Sequence, residues 1–110
     1  MIALEVLLNG KRICIAGAED LSVLMAQVTA VGKLGKKTVR KRMVEDAETD
    51  FDLMYTVSGL TGRKDREKDV HLDWKPAELM QIGDVLQVKI IETDRVDRPK
   101  SRKRAYKKPV

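Results

Sequence analysis

Asn9-Gly10, set between two apolar-rich runs, limits the fold more than any other feature of this chain. Both central residues of a type I′ turn need positive φ, and Asn-Gly adopts it with the least strain. The dipeptide predicts a β-hairpin with a two-residue loop. That loop sets Leu8 opposite Lys11, Leu7 opposite Arg12, Val6 opposite Ile13, Glu5 opposite Cys14 and Leu4 opposite Ile15. Side chains alternate along a strand, so Ile2, Leu4, Val6, Leu8, Ile13 and Ile15 form the expected core face. Glu5, Leu7, Arg12 and Cys14 form a mixed face, where Cys14 is expected to be covered by a neighbouring element.

Downstream, Leu21, Leu24, Met25, Val28 and Val31 fit a helical stripe capped by Asp20 and stopped by Gly32, but the Val/Thr content and the apolar residues on both sides favour a strand. Phe51, Leu53, Tyr55 and Val57 alternate with Asp52, Met54, Thr56 and Ser58, the pattern of a half-buried strand. Residues 58–69 read as a charged, Gly-containing loop leading to a strand whose inward residues are Val70, Leu72 and Trp74. Pro76 is expected to end that strand, and Ile82-Gly83-Asp84 to turn the chain into a last strand with Leu86, Val88 and Ile90 inward. Short strands, most with one polar face, indicate an all-β fold, a small antiparallel sandwich or barrel of about six strands.

The charge is unevenly placed. Residues 95–110 hold eight Lys/Arg against one acid, Asp97, leaving residues 1–94 slightly acidic although the chain carries +5 overall. The expected organisation is a β-rich body over residues 1–94 and a basic C-terminal arm over 95–110, of which residues 98–110 are expected to be dispensable for folding. With 43% apolar and 35% charged residues the body is globular with a heavily charged surface. No signal-peptide pattern and no membrane-spanning apolar run is present, and the single Cys14 forms no internal disulfide, which together point to a cytoplasmic protein.

No constellation specific enough for catalysis, a metal or a cofactor emerges, and the sequence points away from an enzyme. His71 and Asp73 share one strand face but lack the further ligands that a metal site needs, so they read as solvent-facing polar residues. Gly32-Lys33-Leu34-Gly35-Lys36-Lys37-Thr38 resembles a phosphate-binding loop in composition only. Two residues separate its glycines where four are required, which leaves a Lys-rich turn.

What remains are two basic segments. Lys36, Lys37, Arg40, Lys41 and Arg42 lie in an insertion over residues 32–50 whose second half is acidic. Arg98, Lys100, Arg102, Lys103, Arg104, Tyr106, Lys107 and Lys108 lie in the arm. The favoured reading is a non-enzymatic binding module presenting these residues to a protein partner or a second copy of the chain, with no membrane role. The alternative is a nucleic-acid-binding protein in which they neutralise phosphates and Tyr106 stacks on a base.

Overall fold

A computed structural model describes residues 1–32 and 51–105, apart from the side chain of Arg66. The described residues are all-β, in two antiparallel sheets. The first has the order β2-β1-β6, from strands β1 (Ile2–Leu8), β2 (Lys11–Ala16) and β6 (Leu86–Glu92). The second has the order β3-β4-β5-β7, from β3 (Leu21–Val31), β4 (Asp52–Thr61), β5 (Val70–Leu79) and β7 (Ser101–Arg104). The sheets pack over a core of Val6, Cys14 and Ala16 from the first and Tyr55, Val57, Leu72 and Trp74 from the second. The sandwich expected from the sequence is therefore present, with seven strands rather than about six.

The Asn-Gly turn forms as its chemistry requires, with φ of 51° at Asn9 and 82° at Gly10. Its tip is tied to the 81–85 turn. Asn9 Nδ2 donates to Asp84 Oδ1 at 3.0 Å, Val85 N donates to Asn9 Oδ1 at 2.9 Å, and Gln81 N donates to Asp84 Oδ2 at 2.8 Å. The Asn9 amide, followed by the Gln81 N–H, holds the Asp84 carboxyl below its usual range. A group whose folded-state pKa is depressed adds stability above its unfolded pKa and loses it as pH falls through the folded value. The melting-temperature gap between the parent and Asp84→Asn is therefore expected to be widest near neutrality and to close below the ordinary aspartate range. A gap independent of pH would remove this carboxylate from the turn's stability.

The hairpin register departs from expectation past its second pair. Leu8↔Lys11 and Leu7↔Arg12 hold, but a bulge follows and Val6 then pairs with Cys14, Glu5 with Ile15 and Leu4 with Ala16. One extra residue in a strand exchanges its faces beyond that point. Cys14 and Ala16 thus enter the core, whereas Ile15 joins Glu5 on the outer face. Ile2, expected inside, is 60% exposed. Arg12 and Lys89 flank Glu5 on that outer face, at 3.7 and 3.9 Å from its carboxylate.

In the second sheet β3 is a strand, as expected. β4 runs on to Thr61, past the loop start assigned at Ser58, because Ser58 and Gly59 pair with Asp73 and Leu72 on β5. Phe51 lies outside, whereas Asp52 is buried. β5 also continues beyond Pro76. The ladder bulges there: Tyr55 pairs with Glu78 and Val57 with Lys75, so two β5 residues stand opposite Thr56. On the other side, pairing with β7 has already ended at Asp73↔Ser101. Neither neighbour requires the missing Pro76 N–H, which is where proline is tolerated in a sheet. The 62–69 loop is itself ordered by polar contacts. Asp69 Oδ1 accepts from the Thr61 hydroxyl and Arg63 N, and Arg63 Nε donates to Asp20.

Candidate functional site

The two flanks of the sandwich are built differently. On one, the chain leaving β6 crosses the small residues Ala3 and Gly17, where a Cβ on Gly17 would stand 3.1 Å from both Ala3 Cβ and Val96 Cγ1. It then reaches the free edge of β2. Asp97 N donates to Ile15 O and Ile15 N donates to Asp97 Oδ2, both at 2.8 Å. The indole N–H of the core residue Trp74 donates to Asp97 O at 2.8 Å. Asp97, the lone acid of the basic segment, thus joins the edge of one sheet to the buried aromatic of the other. Four residues later the chain adds β7 to β5.

Strand β7 positions the arm's cations. Arg102 and Arg104 stand opposite Leu72 and Val70, and Lys103 stands opposite His71 on the other face. Arg98 and Lys100 occupy the segment between Asp97 and β7. All five are exposed, and among the described residues none of their side chains has an ion-pair partner. The nearby carboxylates serve other donors: Asp97 binds Ile15 N, Asp69 binds Thr61 and Arg63 N, and Asp73 accepts from Ser101 Oγ at 3.3 Å. Of the remaining basic candidates, Lys36, Lys37, Arg40, Lys41, Arg42, Tyr106, Lys107 and Lys108 lie outside the described residues, as does most of the Gly32–Thr38 segment.

His71 and Asp73 do share the outer face of β5, with Nδ1 at 3.4 Å from Asp73 Oδ2. The Asp73 carboxylate is buried and helps fasten β7 through Ser101. Among the described residues no three His, Cys, Asp or Glu side chains converge as metal ligands. Cys14 is inside the core, where burial first and Asp97 second push its thiol up to about 11 against the opposing pull of Lys75. At neutral pH it is an unionised, apolar core residue and a poor nucleophile.

The other flank has the edges of β6 and β3. The register places Val88 and Ile90 on the same side of the sheet as Val6 and Leu4, yet they are 40% and 75% exposed. On β3, Val28 pairs with the core residue Tyr55 but is 58% exposed. Core-facing side chains are thus uncovered on both sheets. The sequence marked Val88 and Ile90 as inward and gave no sign that nothing would lie over them.

Among the described residues, no helix is long and apolar enough to cross a membrane. No protein-family model, curated protein or solved structure matches the chain.

Proposed function

We propose that this chain is a non-enzymatic, protein-binding β-sandwich module that docks a second copy of itself across the open β3/β6 flank. The observation that carries this reading is the exposure of Ile90 and Val88 on the core-facing side of an edge strand. Apolar surface left uncovered there gains free energy when a partner removes it from water, at about 25 cal/mol per Å². An edge strand adds unpaired N–H and C=O groups that another strand can use. A second copy fits because the patch is apolar and an isologous contact requires only that it complement itself.

Light scattering across a concentration series tests the reading. The parent is expected to populate a dimer, and Ile90→Lys to shift it to monomer while retaining the parent's far-UV spectrum and melting cooperativity. Ile90 is so exposed in one copy that Lys costs the isolated fold little. A parent that stays monomeric throughout the series would overturn dimerisation as the role of this flank.

A further inference from the structure

We infer that the opposite flank, the run Arg98–Arg104 that leads into and forms β7, binds the phosphate backbone of nucleic acid without reading base sequence. This inference is independent of dimerisation, since the flank lies at the far edge of the sandwich from Ile90.

Three observations carry it. Five cations fall within seven residues, all exposed, and none of them forms an ion pair among the described residues. Their guanidinium and ammonium donors therefore stay available to a ligand's phosphate oxygens. Second, the charges are held in place: Ser101 is fastened to Asp73, Ala105 N donates to Asp69 O, and β7 pairs along its length with β5. An ordered strand spaces Arg102 and Arg104 by roughly 6.6 Å, comparable to the separation of successive phosphates along one strand. It also spares the ligand the entropy of ordering a floppy tail. Third, Arg98, Arg102 and Arg104 are guanidinium donors, whose planar fork matches phosphate oxygens.

An acidic peptide added as a further strand is the rival occupant. β7 is only four residues long and charged at three of them, the composition that natural edges use to discourage strand addition. Among the described residues no exposed aromatic stands beside these cations to stack on a base, so electrostatics supplies the affinity.

The test is a fluorescence-anisotropy titration of the full chain with mixed-sequence duplex DNA and single-stranded RNA over a range of salt concentrations. Each phosphate contact contributes about −0.9 to the slope of log K against log salt on duplex DNA and about −0.7 on a single strand. Replacing Arg102, Lys103 and Arg104 with Gln is expected to weaken binding at low salt and reduce the duplex slope by about 2, the contribution of Arg102 and Arg104 on their shared face, whatever other contacts exist. Arg98→Gln with Lys100→Gln, outside the strand, keeps the question open to test if the triple variant fails to fold; it is expected to reduce the slope by about 2. Ile90→Lys is expected to leave the slope per chain unchanged, which separates this result from the fate of the dimer. Failure to bind nucleic acid, slopes unaffected by both variants, or equal binding to poly-glutamate would overturn the inference.

Discussion

Val6→Asp is expected to unfold the protein. Val6 is fully buried between two neighbouring strands, opposite Cys14 on β2 and Val88 on β6, under the aromatic half of the core. A carboxylate there has no donor to receive and loses its hydration, costing about 3–5 kcal/mol. Small domains have only about 5–15 kcal/mol in total. Urea and thermal melts would measure it, and Ile15→Asp makes the test sharper. The register expected from the two-residue loop puts Ile15 inside and makes that variant equally damaging. The bulged register puts Ile15 beside Glu5 on the outer face, half-buried, and leaves it distinctly milder. Equal losses at the two positions would argue against the bulge.

Deleting residues 98–110 is expected to destabilise the fold strongly, contrary to what an appended basic arm implies. The deletion removes β7, uncovers the edge of β5 beside Leu72, and takes the Ser101 hydroxyl from the buried Asp73 carboxylate. Lost ladder hydrogen bonds, exposed apolar area and an under-satisfied carboxylate together amount to about 2–4 kcal/mol. A chain truncated after Asp97 should retain the Ile15 and Trp74 contacts and melt lower but cooperatively. A melting temperature equal to the parent's would show that β7 adds nothing to the body.

The sequence announced most strands because their information is local. Asn9-Gly10 specifies its own turn, and the alternation around Tyr55 and Val57 or Leu72 and Trp74 states which side is buried. The bulge after Leu7 was not legible, since nothing in Arg12-Ile13-Cys14 distinguishes a residue that pairs from one that is skipped. Continuation past Pro76 depended on facts about its neighbours: where the ladder with β4 admits a bulge in β5, and that β7 stops at Ser101. Those are tertiary. The candidate surfaces divide in the same way. The five cations of the arm were plain from composition, but their placement on a strand was hidden because Lys and Arg have little strand preference of their own. One signal was available in retrospect: Asp97, the single acid among eight basic residues, is the residue that holds the segment in place. The open flank was invisible because exposure of Ile90 depends on what lies opposite it.

The pairing of β1 with β6, which sets Leu4 beside Ile90 and Met1 beside Thr93, has a bearing on how the chain comes off the ribosome. The Asn9-Gly10 hairpin is made before the other described strands, but an isolated two-stranded hairpin is marginal in water. Its third strand begins at Leu86, long after the hairpin ends at Ala16, and the tie at Asp97 and strand β7 come later still. β3, β4 and β5 are sequential neighbours and can pair while synthesis continues. The first sheet must wait. Until β6 has been made the second edge of β1 stays unpaired, and a nascent chain stalled before β6 presents that edge to whatever chaperone or neighbouring chain is at hand.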